Sequence, residues 1–435
     1  MFDPLTCFFR PGRDQGIWRI FDDDLRWRAI QPAVTGSHVI ADERIITRKW
    51  RRALAQRGAY ARISNTFEVP ETPVLVENLS ARDGKFLVRE RAIMVQGSGS
   101  RALSESFKGW KHNGGDADEW ARRYEEFLCG EEVFDIPQIN TLPHDVPIVL
   151  DITNIQNFFH FTREVLAPLS ILDRHSELQG PIIILCKPRR RAAFAERFIA
   201  ELFPKLLGRC RFRRGPLELD RAVIMFNALF AFNPAQLAGS TDAPVYSNLL
   251  SKSGLPTIGA HTILSSFRAL RRHVLDQPAS DRSFPKRIWI GRKGDASNDR
   301  SIINEAALLR MLRDLNFEPL AFEDLSFREQ AAAMNSAEAV IGAHGAGFTN
   351  MMFAAQTTQC FELGTLQTAT IRWADFMGLA NTSSTQYQQI LTDYEYEGPE
   401  QIPPNRGRGI YPVRVSNSAI GRLEKFLNSS LELPV

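Results

Sequence analysis

The sequence predicts an α/β protein whose last third is a doubly wound sheet of the nucleotide-binding type. Three observations predict it. From about residue 146, short Ile/Val-rich runs alternate with amphipathic runs of helical length, the signature of parallel strands joined by crossover helices. The composition, 44% hydrophobic and 24% charged, is that of an ordinary soluble globular chain. A glycine-rich turn, "VIGAHGAGFTN" at 340–350, lies between an apolar run and a helical one. At roughly 100–200 residues per domain, the 435 residues suit two or three domains. We expect an N-terminal extension with strands and helices over 1–145, then Rossmann-like domains over 146–280 and 281–435.

The extension is the least legible part. "TPVLVENLS" and "GKFLVRERAIMVQ" read as strands with "ARDGK" as the turn between them, and "DADEWARRYEEFLCGEEVF" reads as a helix. In the second domain, "PIVLDIT" is a strand and "NFFHFTREVLAPLSILDRH" a helix that Pro168 should kink or break. "PIIILC" is a strand, "RAAFAERFIAELFPKL" a helix, "RCRFRR" and "RAVIMF" short strands, and "HTILSSFRALRRHVLDQ" a helix. The third domain repeats the alternation more cleanly. Strands are "RIWIGR", "FEPLAF", "AVIGAH", "TQCFELG" and "YQQIL". Between them come the helix "SIINEAALLRMLRDLN", apolar at 308, 311, 312 and 315, and the helix "SFREQAAAMNSA", opened by a Ser326/Glu329 capping box. "AGFTNMMFA" and "ATIRWADFMGLA" complete the set.

The net charge of +3 does not argue for nucleic acid, but it is unevenly placed. Residues 187–214 hold ten Lys/Arg against two Glu, and 43–57 hold six against one. Such runs are either solvated helix faces or a patch facing an anionic membrane or polymer. The five cysteines (Cys7, Cys129, Cys186, Cys210, Cys360) form no C-x-x-C and indicate neither a zinc cage nor a disulfide framework. That usage suits a reducing compartment. The N-terminus lacks a signal-peptide pattern, and no apolar run approaches the ~20 residues of a spanning helix. The expectation is a cytoplasmic protein, with 187–214 as a surface for peripheral contact with the inner membrane face. "DDD" at 22–24 reads as surface, no D-x-D run suggests a metal-binding pair, and no cofactor is implied.

In doubly wound sheets ligands bind at the carboxyl ends of the strands. Three groups stand there. Gly345, Ala346 and Gly347 open a helix with free N–H groups, which favours an anion. Arg292 offers a planar fork to phosphate oxygens. Glu362 can accept from a ribose diol. Each has a plainer reading as turn, surface or packing residue, and only their occurrence at three strand ends of one sheet favours a nucleotide diphosphate. His344 reads equally as a phosphate donor or a turn-filling imidazole, and Asn350 as a cap or backbone partner. The spacing G-x-x-G-x-G after the third strand of the unit is not the dinucleotide fingerprint, and no P-loop pattern occurs.

The ordered set also resembles a known family. Arg292, Arg300 with Asn304–Glu305, Leu325–Ser326 with Glu329–Gln330, His344 to Asn350 with Phe353, Glu362–Leu363 and, upstream, "NFFHF" at 157–161 are similar to the pattern of glycosyltransferase family 61, also called DUF563. That family includes bacterial capsular polysaccharide enzymes. One departure is "AAQTTQC" where many members read Pro-Gly after the Phe. The resemblance implies a GT-B-like architecture, two Rossmann-like domains facing a cleft. The C-terminal domain would take a nucleotide-sugar donor, a UDP-sugar first, and the N-terminal one a glycan or polysaccharide acceptor. It further implies an inverting transfer without a metal. Gly345, Ala346, Gly347, Arg292, Arg300 and His344 would hold the diphosphate and Glu362 the ribose. Such a transfer needs a base. His160, near the start of an N-terminal-domain helix, is the candidate, with Asp151 at the preceding strand end as the fallback and a buried structural histidine as the plainer alternative. A non-catalytic nucleotide-sugar-binding scaffold and a polyanion-binding protein are the competing functions.

Overall fold

The computed structural model describes residues 4–56, 66–116, 119–120, 123, 131–141, 144–186, 193–229, 262–277, 282–291, 302–372, 375–394 and 412–431. The chain divides into two units. One comprises Met1–Ile30, Phe67–Ile258 and Thr262–His273; the other comprises Gln31–Thr66, Gly259–His261 and Val274–Val435. We call them the N-terminal and C-terminal units.

The C-terminal unit is built on a parallel six-stranded sheet. Its strands, in spatial order, are Glu318–Ala321, Arg287–Gly291, Ala339–Ala343, Gln359–Gly364, Gln386–Leu391 and Thr35–Val39. The five from the last third of the chain run 2-1-3-4-5, a doubly wound order whose direction reverses between the first strand and the third. On one face, Trp289, Ile341, Phe361, Leu363 and Ile390 pack against helices Glu305–Asp314 and Asn417–Leu431 through Leu308, Leu312, Leu423 and Leu427. The next helix, Phe327–Ser336, carries the expected capping box, with Ser326 and Glu329 each satisfying the other's backbone N–H. That backbone bond lowers the Glu329 pKa.

The N-terminal unit holds a mixed sheet. Strands Cys210–Arg213, Ile182–Leu185, Ile148–Asp151 and Leu217–Asn227 are parallel, and Glu71–Arg82 then pairs antiparallel with Leu217–Asn227. Lys85–Val88, Arg91–Ala92 and Ile17–Arg19 complete it. The parallel part runs 3-2-1-4, so its own reversal falls beside Ile148–Asp151. Val74, Val76, Val149, Ile183, Ile224 and Phe226 form its core. The turn at Asp83–Gly84 takes positive φ at both residues (54° and 72°), the tight hairpin that Asp-Gly favours.

Residues 1–145 therefore do not form the separate extension expected. Thr35–Val39 is an edge strand of the C-terminal sheet, while Glu71–Arg82 is a central strand of the N-terminal one. Three further differences are local. Thr262–Leu264, read as the start of a helix, is a strand parallel to Thr66–Val69, and the helix is Ser265–Leu275. The run "ATIRWADFMGLA" divides into a π-turn, Thr368–Arg372, and a helix, Met377–Ser383. The helix through Pro168 continues to Leu172, with a π-turn at Thr162–Leu166 ahead of the proline. Proline has no N–H for the regular ladder, and widening the preceding turn lets the helix pass it. The helix expected over 116–134 falls largely outside the described residues.

Candidate functional site

The two reversals of strand order each carry a histidine beside a carboxylate. In the C-terminal unit, the turn after Ala339–Ala343 leads through His344 and Gly345 into a 3-10 helix, Ala346–Phe353. His344 N–H bonds to Leu363 O (3.0 Å), and Phe348 N–H to Gly345 O (3.0 Å). Among the described residues no acceptor meets the N–H groups of Gly345, Ala346 and Gly347. Three free donors are what the opening of a 3-10 helix leaves. They lie at the carboxyl end of a strand next to Arg287–Gly291, where the strand order reverses.

The glycines have a second reason to be there. A Cβ on Gly342 would lie 3.0 Å from Ile290 Cβ, and one on Gly347 would lie 2.9 Å from Ile290 Cγ2. Gly345 is extended (φ 174°, ψ 169°), a conformation open to any residue. Gly342 and Gly347 thus let the turn close onto Ile290, so their absent side chains serve packing. The anion-binding capacity belongs to the backbone N–H groups.

His344 is buried, 3% exposed, and its Nδ1 is hydrogen-bonded to Glu362 Oε1. Nε2 lies 3.7 Å from Asp375 Oδ2, and Asp375 is 3.5 Å from Arg372. Phe376 packs on the imidazole at 5.1 Å. Glu362 is fully buried; Tyr387 donates its hydroxyl to Oε2, and Gln389 Nε2 approaches the same oxygen at 3.3 Å. Burial and the Glu362 charge push the Tyr387 phenol well above its usual range, so it stays a donor. The expected ribose role for Glu362 does not fit this arrangement, because both oxygens already serve partners inside the sheet. Glu362 instead fixes the ring of His344. Asn350 is likewise internal: its Nδ2 bonds to Gln330 Oε1 at 2.9 Å. Asn304 takes a left-handed conformation (φ 61°) and pairs with the backbone of Val415, a structural role. Arg292 and Arg300 lie outside the described residues.

In the N-terminal unit, "NFFHF" is explained residue by residue. Asn157 caps the helix by accepting from Phe159 N–H at 2.9 Å. Phe158 and Phe161 anchor it on helix Ala193–Leu202 through Phe194, at 6.2 and 5.5 Å. Phe159 and His160 are left partly open. His160 Nδ1 meets Glu164 Oε1 at 2.9 Å; the imidazole side chain is 29% exposed and that of Glu164 only 7%. Glu164 Oε2 accepts from Thr153 N–H at 2.6 Å. Among the described residues Nε2 of His160 has no partner. Asp151, the fallback base, faces Arg101 at 3.3 Å. Arg101 in turn bonds Thr153 Oγ1 (3.1 Å) and Gly84 O (2.5 Å). Asp151 is thereby an anchor for a guanidinium and is poorly suited to take a proton. Glu164 went unnoticed in the sequence, although its i,i+4 spacing from His160 puts both on one helix face.

Of the basic stretch, 187–192 lies outside the described residues. Arg209 is not a surface charge: it bonds Gly180 O at 3.1 and 2.8 Å and Leu178 O at 2.5 Å. Arg197, Lys205, Arg211, Arg213 and Arg214 are exposed. Within "DDD", Asp23 accepts from the Thr72 hydroxyl. Among the described residues no group of three His, Cys, Asp or Glu is placed to hold a metal, and no helix is long and apolar enough to cross a membrane.

No curated protein matches the chain. Residues 158–361 match the family model Glycosyltransferase 61. The matched segment contains both histidines, Glu164 and the whole 342–347 turn, and it stops one residue short of Glu362. Through this segment, a little under half of its length, the chain is similar to the glycosyltransferase 61 family.

Proposed function

We propose that this glycosyltransferase moves a sugar from a nucleotide-sugar donor, a UDP-sugar first, onto a glycan or cell-surface polysaccharide acceptor, with inversion at the anomeric carbon. The observation that carries the reading is the trio of unpartnered N–H groups at Gly345, Ala346 and Gly347, beside the reversal of strand order. Such a trio receives the diphosphate, and Arg292, the residue after strand Arg287–Gly291, and Arg300 supply positive charge to it. Each charge-assisted hydrogen bond is worth about 1.5–3 kcal/mol. Donors fixed before the reaction act on the charge that develops on the leaving diphosphate, which lowers the barrier without a metal. His160 takes the proton of the acceptor hydroxyl at Nε2. In this GT-B reading the C-terminal unit is the donor side and the N-terminal unit the acceptor side. A cytoplasmic location, with Arg197, Lys205, Arg211, Arg213 and Arg214 toward an anionic membrane, belongs to the same proposal.

Ala346→Pro tests it. Proline is well tolerated in the first turn of a helix, where its missing N–H has no intrahelical partner to lose. The extended Gly345 before it suits a residue preceding proline. The variant should fold as the wild type and lose one phosphate donor, which weakens UDP binding by about tenfold or more. Melting temperatures measured with UDP, GDP and CMP read this directly, since a ligand of the native state raises the melting point by mass action. Equal UDP shifts in the variant and the wild type would sink the diphosphate assignment.

A further inference from the structure

We propose that Glu164 is the positioning carboxylate of His160: by accepting from Nδ1–H it keeps Nε2 unprotonated and turned to the acceptor hydroxyl. The inference rests on the glycosyl-transfer reading above and deepens it.

The geometry is that of a held acceptor. Glu164 is nearly buried, and both its oxygens have assigned donors. The Thr153 N–H can only donate, so Oε2 is committed to accepting. Thr153 is itself fixed from the side, because its hydroxyl receives Arg101 Nη2 at 3.1 Å while Arg101 is anchored by Asp151 and Gly84 O. A chain of contacts, Asp151–Arg101–Thr153–Glu164–His160, thus runs from the end of strand Ile148–Asp151 to the imidazole. The π-turn at Thr162–Leu166 contains Glu164. Besides letting the helix pass Pro168, such π-turns are frequent at functional sites. A neutral imidazole carries one N–H, and which nitrogen bears it is set by the partner of the other.

The step then balances as follows. The acceptor hydroxyl gives its proton to Nε2 as its oxygen forms the new bond to the anomeric carbon. The bond from that carbon to the diphosphate oxygen breaks, and its electron pair leaves with the diphosphate. The imidazolium that results has Nδ1–H on Glu164, which remains a carboxylate throughout and takes no proton.

Glu164→Gln separates positioning from mere structure. The amide oxygen can still accept from Thr153 N–H, so the loop stays tied. Its NH2 then faces Nδ1, which forces the proton onto Nε2 and removes the base. Turnover is read as nucleoside diphosphate released from a mixture of UDP-glucose, UDP-N-acetylglucosamine, UDP-xylose and GDP-mannose, with water as acceptor. We expect a loss of about 100-fold in turnover, the UDP-induced melting shift unchanged, and no further loss when His160→Ala is added. Imidazole 15N spectra of the wild-type protein, assigned with His160→Ala, should show Nδ1 protonated and Nε2 free. A wild-type ring protonated at Nε2 overturns the proposal even if the Gln variant does not fold. Turnover of Glu164→Gln within threefold of wild type, alongside a large loss in His160→Ala, overturns it while leaving His160 as base. Full turnover in His160→Ala overturns the base reading itself.

Discussion

Glu362 shows how a residue can be singled out correctly and read wrongly. It ends a strand at the rim where a ligand would lie, yet its side chain is enclosed by His344, Tyr387 and Gln389. Gly342 is its in-register neighbour on the adjacent strand. His344 is two residues further on, on the same face of the sheet, which brings it to Oε1. The two are 18 apart in sequence, and nothing in either segment alone reports the contact. The same limit hid Arg101 from Asp151, whereas Glu164, four residues from His160 on one helix, was within reach of the spacing argument. Removing Glu362 takes away the buried carboxylate that His344 and Tyr387 bond to. Glu362→Ala should cost about 3–5 kcal/mol, the usual loss when one member of a buried polar pair is deleted. A urea titration measures it. If the midpoint stays put while UDP-sugar affinity falls, Glu362 holds ribose after all.

At the scale of elements, the parallel strands and crossover helices of the last third were legible because each carries a dense apolar run, and the capping box at Ser326 because its signal is local. The edge strand Thr35–Val39 was not. Its sequence, TGSHV, has no clear alternation, and its pairing partner lies about 350 residues away. The Gln388 side-chain amide lies over Gly36, where a Cβ would meet it. His38 on this strand stacks on Phe426 of the last helix at 4.2 Å. Burial, then the nearby Arg51, lowers its pKa from the usual 6.5. The unfolded chain therefore takes up a proton near pH 6.5 that the folded strand still refuses. The folded state keeps its full stability above that pH and loses the part linked to His38 as pH falls from there through the lowered folded value. Melting temperature should drop on acidification below about pH 6.5, and His38→Gln should flatten that part of the profile. Identical profiles for the two proteins would remove His38 as a cause.

At the scale of the whole molecule, the path of the chain matters more than its order. It leaves the N-terminal unit after Ile30, supplies a strand to the C-terminal unit, and returns by Phe67. A reading in consecutive blocks could not find this, because strand pairing across hundreds of residues leaves no local pattern. The consequence is that residues 1–145 cannot be removed as an appendage. Without them, strand Leu217–Asn227 loses its antiparallel partner Glu71–Arg82, which it follows from Leu217↔Ala81 to Asn227↔Glu71. Gln386–Leu391 loses Thr35–Val39 and becomes an open sheet edge. Unpaired edges of that kind template association with other chains. A chain beginning at residue 146 should therefore be aggregated in size-exclusion chromatography and should lack a cooperative thermal transition. If it were monomeric with a sharp transition, the intertwined path would be incidental and the first 145 residues an independent extension.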